Sequence, residues 1–237
     1  VQPDESGMDA SPQFDPLWPG ATHSTPGFVR LVHRNRRYRY DLKRILAAAS
    51  PIVCEVATNV LYSLSRTALG RPSLTEALID RLYDPRRGLF MPDAQPRTTA
   101  RIPVTWAALA PLALDDLPAE IGHRMVQEHL LNAKRFWLPA GIPSVAADDP
   151  AFRRDDRSRW GLKRYWRGPV WINSSWLLWL GLRRLGYTEQ AQELARRLIR
   201  TVARSGLREY YDPYDAHGMG QATFAWSALL LELINAR

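Results

Sequence analysis

Three consecutive segments near the C-terminus limit the fold most: one apolar on most sides, one apolar on a single face, and another apolar on most sides. Across Thr188–Ser205, the residues Ala191, Leu194, Ala195, Leu198, Ile199 and Val202 recur at three- and four-residue steps, while arginines and glutamates fill the other positions. That period belongs to a helix with one buried stripe. Thr188 is placed to cap its start, and Gly206 to end it in a left-handed turn. Before it, residues 170–185 carry Val170, Trp171, Ile172, Trp176, Leu177, Leu178, Trp179 and Leu180, with Pro169 at the first turn and Gly186 at the end. After it, residues 221–235 carry Phe224, Trp226, Leu229, Leu230, Leu231, Leu233 and Ile234. A helix apolar on most sides is a buried helix. The order buried, amphipathic, buried suits an inner ring of helices wrapped by an outer ring.

Earlier segments fit the same all-α scheme. Ser50-Pro51 is expected to open a helix reaching about Leu69, with Val53, Val56, Ala57, Val60, Leu61 and Leu64 on its face. Ser73 and Glu76 have the spacing of a capping box ahead of a short helix to Leu82. Residues 102–114 are expected to be helical despite Pro103 and Pro111, and residues 118–132 form another helix with Glu120 in its first turn. No strand pair is expected. Pro- and Gly-rich joints near residues 12–27, 85–103, 139–150 and 212–220 are loops within a single domain covering residues 1–237.

Composition excludes several classes. Hydrophobic residues make up 46% of the 237, enough for a sizeable core. No stretch approaches the ~18 uninterrupted apolar residues of a membrane span. The single Cys54 rules out an internal disulfide framework and fits a reducing, cytoplasmic compartment. No signal peptide opens the chain, and its start at Val1 suggests that upstream residues are missing. The formal charge is +8, with the densest basic run in residues 30–44. Because the arginines are spread along the chain and interrupted by acids, solvated faces account for them better than a nucleic-acid patch. The five histidines have no metal-ligand spacing, so neither metal nor cofactor is expected.

Two stretches at opposite ends place acids among glycines, prolines and aromatics: Glu5-Ser6-Gly7-Met8-Asp9-Ala10-Ser11-Pro12 and Arg208-Glu209-Tyr210-Tyr211-Asp212-Pro213. Two positioned carboxylates are what glycosidic hydrolysis needs. The tract Tyr165-Trp166-Arg167-Gly168-Pro169-Val170-Trp171-Ile172-Asn173-Ser174-Ser175-Trp176-Leu177-Leu178 is similar to a hallmark of glycoside hydrolase family 63. The stretch from Gly206 to Pro213, and Gly220-Gln221-Ala222-Thr223-Phe224-Ala225-Trp226, resemble the next two hallmarks in the same order. The N-terminal stretch with Asp15 resembles the family's acid-bearing loop, of which trehalases share a related version. Within the family, the bacterial glucosylglycerate and mannosylglycerate hydrolases are the most similar group.

The resemblance implies an (α/α)6 toroid and inverting hydrolysis of an α-linked sugar, with Asp9 at the position of the general acid and Glu209 at that of the general base. Inversion requires the two carboxyls to stand roughly 6.5–9.5 Å apart across one cavity, leaving room for water. The acid also needs burial or nearby negative charge to raise its pKa, which Glu5 and Asp15 could supply. Tyr210 and Tyr211 are expected to orient Glu209, in a loop after the helix.

Each assignment has a plainer counterpart. Asp9 could begin a turn with Ser11-Pro12, and Glu209 could pair on the surface with Arg208 or Arg204. Asp212 before Pro213 is a turn former. Arg167 with Gly168 could hold sugar hydroxyls or a carboxylate, or form a structural ion pair with a loop acid. Asn173, one turn into a buried helix, would bond the ligand or cap a neighbouring loop. Trp166, Trp171, Trp176 and Trp226 are candidates for a sugar-stacking wall, and each could equally be core. Phe136-Trp137-Leu138-Pro139 through Asp149-Pro150 resembles a loop that shapes the pocket rim.

The chain departs from the family pattern by reaching the acid loop at residue 5, so about seven to nine helices remain, short of a closed ring. Exposed inner faces of an open arc would favour association, as a homo-oligomer or with a missing N-terminal portion. The expected function is an inverting α-glycosidase, or a fragment of one, acting on a small glucoside or mannoside such as glucosylglycerate. The competing readings are a non-catalytic carbohydrate-binding remnant, and a helical scaffold whose arginines meet an anionic partner.

Overall fold

The structure, a computed structural model, describes residues 2–18, 25–48, 51–95, 100–156 and 163–235. In chain order these form helices α1 (Thr25–Arg37), α2 (Leu42–Ala47), α3 (Val56–Ala68), α4 (Thr75–Leu82), α5 (Ala119–Met125, continued by a π-helical turn at Val126–Leu130), α6 (Ile172–Arg184), α7 (Thr188–Ser205) and α8 (Leu230–Asn235). Short 3-10 helices stand at Pro3–Glu5, Pro12–Leu17, Trp106–Ala113 and Ala225–Leu229.

The expectation of no strand pair is overturned. Strands β1 (Ile52–Cys54), β2 (Tyr83–Asp84), β3 (Leu89–Phe90), β4 (Asp93–Gln95), β5 (Arg208–Tyr211) and β6 (Gly218–Ala222) pair antiparallel as β1–β4, β2–β3 and β5–β6. Each ladder is too short for an alternating pattern to show in sequence.

Helix α7 has the expected bounds, and Gly206 follows it at φ +75°. Thr188 gives no side-chain cap. α6 starts at Ile172 because Val170 is committed elsewhere: its N–H donates to Tyr211 O at 2.8 Å and its carbonyl accepts from Tyr211 N at 2.9 Å. The helix expected from Ser50 begins only at Val56. Residues 52–54 are drawn into β1, and Glu55 caps the helix by accepting the Thr58 N–H at 2.6 Å. Ser50 itself lies outside the described residues. The capping box does not form, since the Ser73 hydroxyl donates to Asp116 instead. Residues 106–113 wind as a 3-10 helix, a form in which the interior Pro111 is seated.

That 3-10 helix is the centre of the core. All eight of its residues are buried, between α6 on one side and α3 on the other. The stripe of α7 packs on α6 and α8. Segment 221–235 is less buried than expected: Leu233 is covered, whereas Trp226, Leu231 and Ile234 are exposed. No helix among the described residues is long and apolar enough to cross a membrane.

Candidate active site

Glu209 sits in β5, not in a loop, and is buried. Its Oε2 accepts the Gln221 backbone N–H from β6 at 3.0 Å, and its Oε1 accepts the hydroxyl of Tyr165. The approach depends on Gly220, at φ +67°: a Cβ there would lie 2.5 Å from Glu209 Oε2. Tyr210 and Tyr211 do not orient Glu209 as expected. Tyr210 donates to Asp156, and Tyr211 donates to Gly206 O at 2.8 Å. Both hydroxyls are thus spent on other acceptors, and the strand carries a register irregularity between Arg208 and Tyr210, so closeness in sequence to Glu209 does not decide its donor.

The tract 165–171 lies against β5 through the Val170–Tyr211 bridge. Tyr165 takes an uncommon positive φ of 47°. Burial, then its bond to Glu209, pushes its phenol well above the usual range, so it is a neutral donor. Trp166 and Trp171 stack at 4.0 Å between centroids with 3° between planes, and Trp171 continues onto Tyr210 at 4.8 Å. Trp226 reaches the cluster's exposed edge, 5.9 Å from Trp171. The indole N–H groups of Trp106, Trp166, Trp171 and Trp176, and Oδ1 of Asn173, are buried with no hydrogen-bond partner among the described residues. Three of these indoles, Trp106, Trp166 and Trp171, stack in one cluster, and so many orphaned polar atoms call for a cause.

The acid loop is built by local hydrogen bonds. Ser6 Oγ donates to Pro3 O at 2.7 Å and accepts the Met8 N–H at 3.1 Å, while Ala10 turns through φ +60°. The loop joins the 165–171 tract directly: Trp166 N–H donates to Asp9 O at 3.4 Å. Asp9 opens on a cavity of about 460 Å3 whose wall includes Phe28, Val32 and His33 of α1, together with Lys163 and Tyr165. Partial loss of water there pushes the Asp9 carboxyl above its ordinary value. The charges of Glu5 and Asp15 are not the cause. Glu5 accepts the Gln2 N–H at 2.9 Å, and Asp15 is paired with Arg167 at 2.5 Å.

Tyr165 lines this cavity, and Glu209 lies behind it. Glu209 does not itself line this cavity, so the expected facing of the two carboxyls across it is not seen there; Tyr165 is the residue that touches both the cavity and Glu209. Arg167, buried, forms the ion pair weighed as its structural alternative, and its Nε has no partner among the described residues. Gly168 is tightly packed: its N–H donates to Ser144 Oγ at 2.8 Å, and the Arg153 carbonyl fills the space of a Cβ. The loop expected at the rim is mostly buried and does not line the cavity, with Pro143 bridged to Val170. Asp212 is the expected turn former, its Oδ1 accepting the Tyr214 N–H at 2.8 Å and the Asp215 N–H at 3.0 Å. Asp156 was missed. Its only sequence context is a run of charges that reads as solvated surface. Among the described residues no cluster of His, Cys, Asp or Glu is suited to a metal ion.

The helical scaffold is shared with glycoside hydrolases. A structure of a GH63 mannosylglycerate hydrolase from Thermus thermophilus in complex with glucose superposes over 100% of this chain and 61% of its own, with TM-score 0.79 and 27% identity. The structure of the same protein with Tris and D-glycerate covers 100% of this chain and 64% of that one, with TM-score 0.77 and 26% identity. The chain belongs to the mannosylglycerate hydrolase MGH1-like glycoside hydrolase family, whose model matches residues 1–227. Among curated relatives, a mannosylglycerate hydrolase from Rubrobacter radiotolerans is 30% identical over 97% of this chain and 60% of its own length. A glucosylglycerate hydrolase from Mycolicibacterium hassiacum is 31% identical over 94% of this chain and 58% of its length. The chain thus spans about 60% of the curated relatives it matches.

Proposed function

We propose that this chain carries the catalytic residues of an inverting α-glycosidase acting on a small α-glucoside or α-mannoside with an anionic aglycone of the glycerate type, its helices forming part of an (α/α)6 toroid. The observation that carries this reading is the shared position of Tyr165: its ring lines the cavity on which Asp9 opens, and its hydroxyl engages Glu209. Asp9, with its raised carboxyl, is the general acid and protonates the glycosidic oxygen. Glu209, buried behind Tyr165, is the general base. It takes a proton from the water that attacks the anomeric carbon on the opposite face. Lys163 and His33 line the same cavity as Asp9, and we assign them to receiving a departing carboxylate-bearing aglycone. The orphaned indole N–H groups and Asn173 Oδ1 suit sugar hydroxyls, and the exposed Trp226 suits a sugar face.

The test is hydrolysis of glucosylglycerate and mannosylglycerate followed by 1H NMR. The β-anomer should appear first, and Asp9→Asn and Glu209→Gln should each abolish turnover while circular dichroism stays unchanged. Either variant retaining wild-type rates removes that residue from its role, and an α-anomer appearing first overturns inversion. Sugar binding in calorimetry without product release by the wild-type chain would replace this proposal with that of a carbohydrate-binding remnant.

A further inference from the structure

We infer that Asp156 is a positioning residue for the candidate base, sorting the two tyrosines beside Glu209 so that Tyr165, and not Tyr210, donates to it; this rests on the proposed role of Glu209. The two rings are neighbours, 5.4 Å apart edge to face, and both carry hydroxyls near carboxylates. Two phenols facing two acids can pair in more than one way. Asp156 removes the ambiguity because each of its oxygens is committed. Oδ2 accepts the Tyr210 hydroxyl, and Oδ1 accepts the Tyr165 backbone N–H at 3.3 Å. One carboxylate therefore occupies the competing phenol and pins the backbone of the serving one, which stands at φ +47°.

Nothing else on the described residues explains this carboxylate. It pairs with no Lys or Arg among them, although its neighbours do: Asp155 with Arg164, and Arg154 with Asp212 and Asp215. The segment holding it is fixed at the other end, where the Arg153 N–H donates to Arg167 O at 2.7 Å. Burial holds both phenols in the neutral, donating form, with the bond to Asp156 next at Tyr210 and the bond to Glu209 next at Tyr165. Arg154 gives an internal control. It ties the same segment to the β5–β6 turn at 2.6 Å without contacting either phenol.

The experiment labels the full chain with tyrosine 13C at Cζ, assigns Tyr165 and Tyr210 through Tyr165→Phe and Tyr210→Phe, and compares Asp156→Asn with Arg154→Ala. Asp156→Asn should displace both signals. In the active chain it should also lower kcat roughly tenfold with KM little changed, the rate equivalent of one weakened hydrogen bond to a charged group. Arg154→Ala should lower the melting temperature and move neither signal. A Tyr165 signal unmoved by Asp156→Asn, or moved equally by Arg154→Ala, overturns the assignment. Should Asp156→Asn not fold, Asp156→Glu keeps the charge, shifts the oxygens by one methylene, and must still move the Tyr165 signal. The spectra decide the role of Asp156 even if no glycoside is hydrolysed, an outcome that counts against the proposed function alone.

Discussion

The hydroxyl of Tyr165 donates to Oε1 of Glu209, 44 residues further along the chain. The bond joins the Tyr165–Trp171 tract to β5 at the residue proposed as general base, and it leaves Oε2 to the Gln221 N–H. A base held by two donors has a fixed direction for its lone pairs, which matters more to catalysis than to folding.

Tyr165→Phe should therefore lower kcat by about 10- to 100-fold, from the ~1.5–3 kcal/mol of a hydrogen bond to a charged group. KM should change far less. Steady-state kinetics on the glycerate glycosides checks this, and a loss confined to KM would place Tyr165 in ground-state binding instead.

Gly220→Ala should injure both stability and turnover. The new methyl would lie 2.5 Å from Glu209 Oε2 and 2.6 Å from the Tyr210 ring, on a backbone at φ +67°. Backbone strain of this type costs about 1–3 kcal/mol, and here relief requires the carboxylate to move. Thermal unfolding together with kcat gives the measure; a variant with wild-type values of both would mean that β6 can shift at no cost.

How far these relationships could be read in the sequence depended on how local they are. Helix α7 is amphipathic, so its stripe betrays every turn, and α6 is bounded by Pro169 and Gly186. The β5–β6 hairpin has no such signature, because Gly218 and Gly220 interrupt the alternation that a strand would show. The motifs located Glu209 but could not choose its donors, since the hydroxyls of its sequence neighbours Tyr210 and Tyr211 are taken by Asp156 and by Gly206 O. Likewise Ser73 has the spacing of a capping box, yet its hydroxyl goes to Asp116, 43 residues away. Partners brought in by tertiary packing leave no trace in a local window.

Glu55 provides a pH test. It is fully buried, and burial pushes its carboxyl up, outweighing the opposing hydrogen bond from Thr58. One oxygen caps α3, while the other is without a hydrogen-bond partner of standard geometry among the described residues. With the folded pKa above the unfolded value near 4.5, the folded chain holds the proton more tightly. Stability is therefore lost as pH rises above 4.5, by about 1.4 kcal/mol per unit of separation between the two values. Glu55→Gln keeps a capping oxygen and removes the titration. It should melt higher than wild type at pH 7, with the two melting temperatures converging below pH 4.5. A difference independent of pH would show that Glu55 ionises alike in both states.

The Arg167–Asp15 pair fastens the acid loop to the same tract that holds Tyr165, so breaking it should loosen Asp9 as well as the fold. The Arg167 side chain is 9% exposed and that of Asp15 30%. A fully buried pair costs about 3–5 kcal/mol to break from one side, and the wetter Asp15 should bring this to about 2–3 kcal/mol. Arg167→Met and Asp15→Asn should each lower the melting temperature, and the double variant should lose less than their sum, because the second change removes a charge already stranded by the first. Arg167→Lys should recover only part of the loss, since an ammonium lacks the planar fork that reaches Asp15 at 2.5 Å. If the pair fixes the acid loop, kcat should fall in all four variants in the order of their melting temperatures. Full turnover in a destabilised Asp15→Asn would mean that the hydrogen bonds of Ser6, Met8 and Trp166 hold Asp9 by themselves.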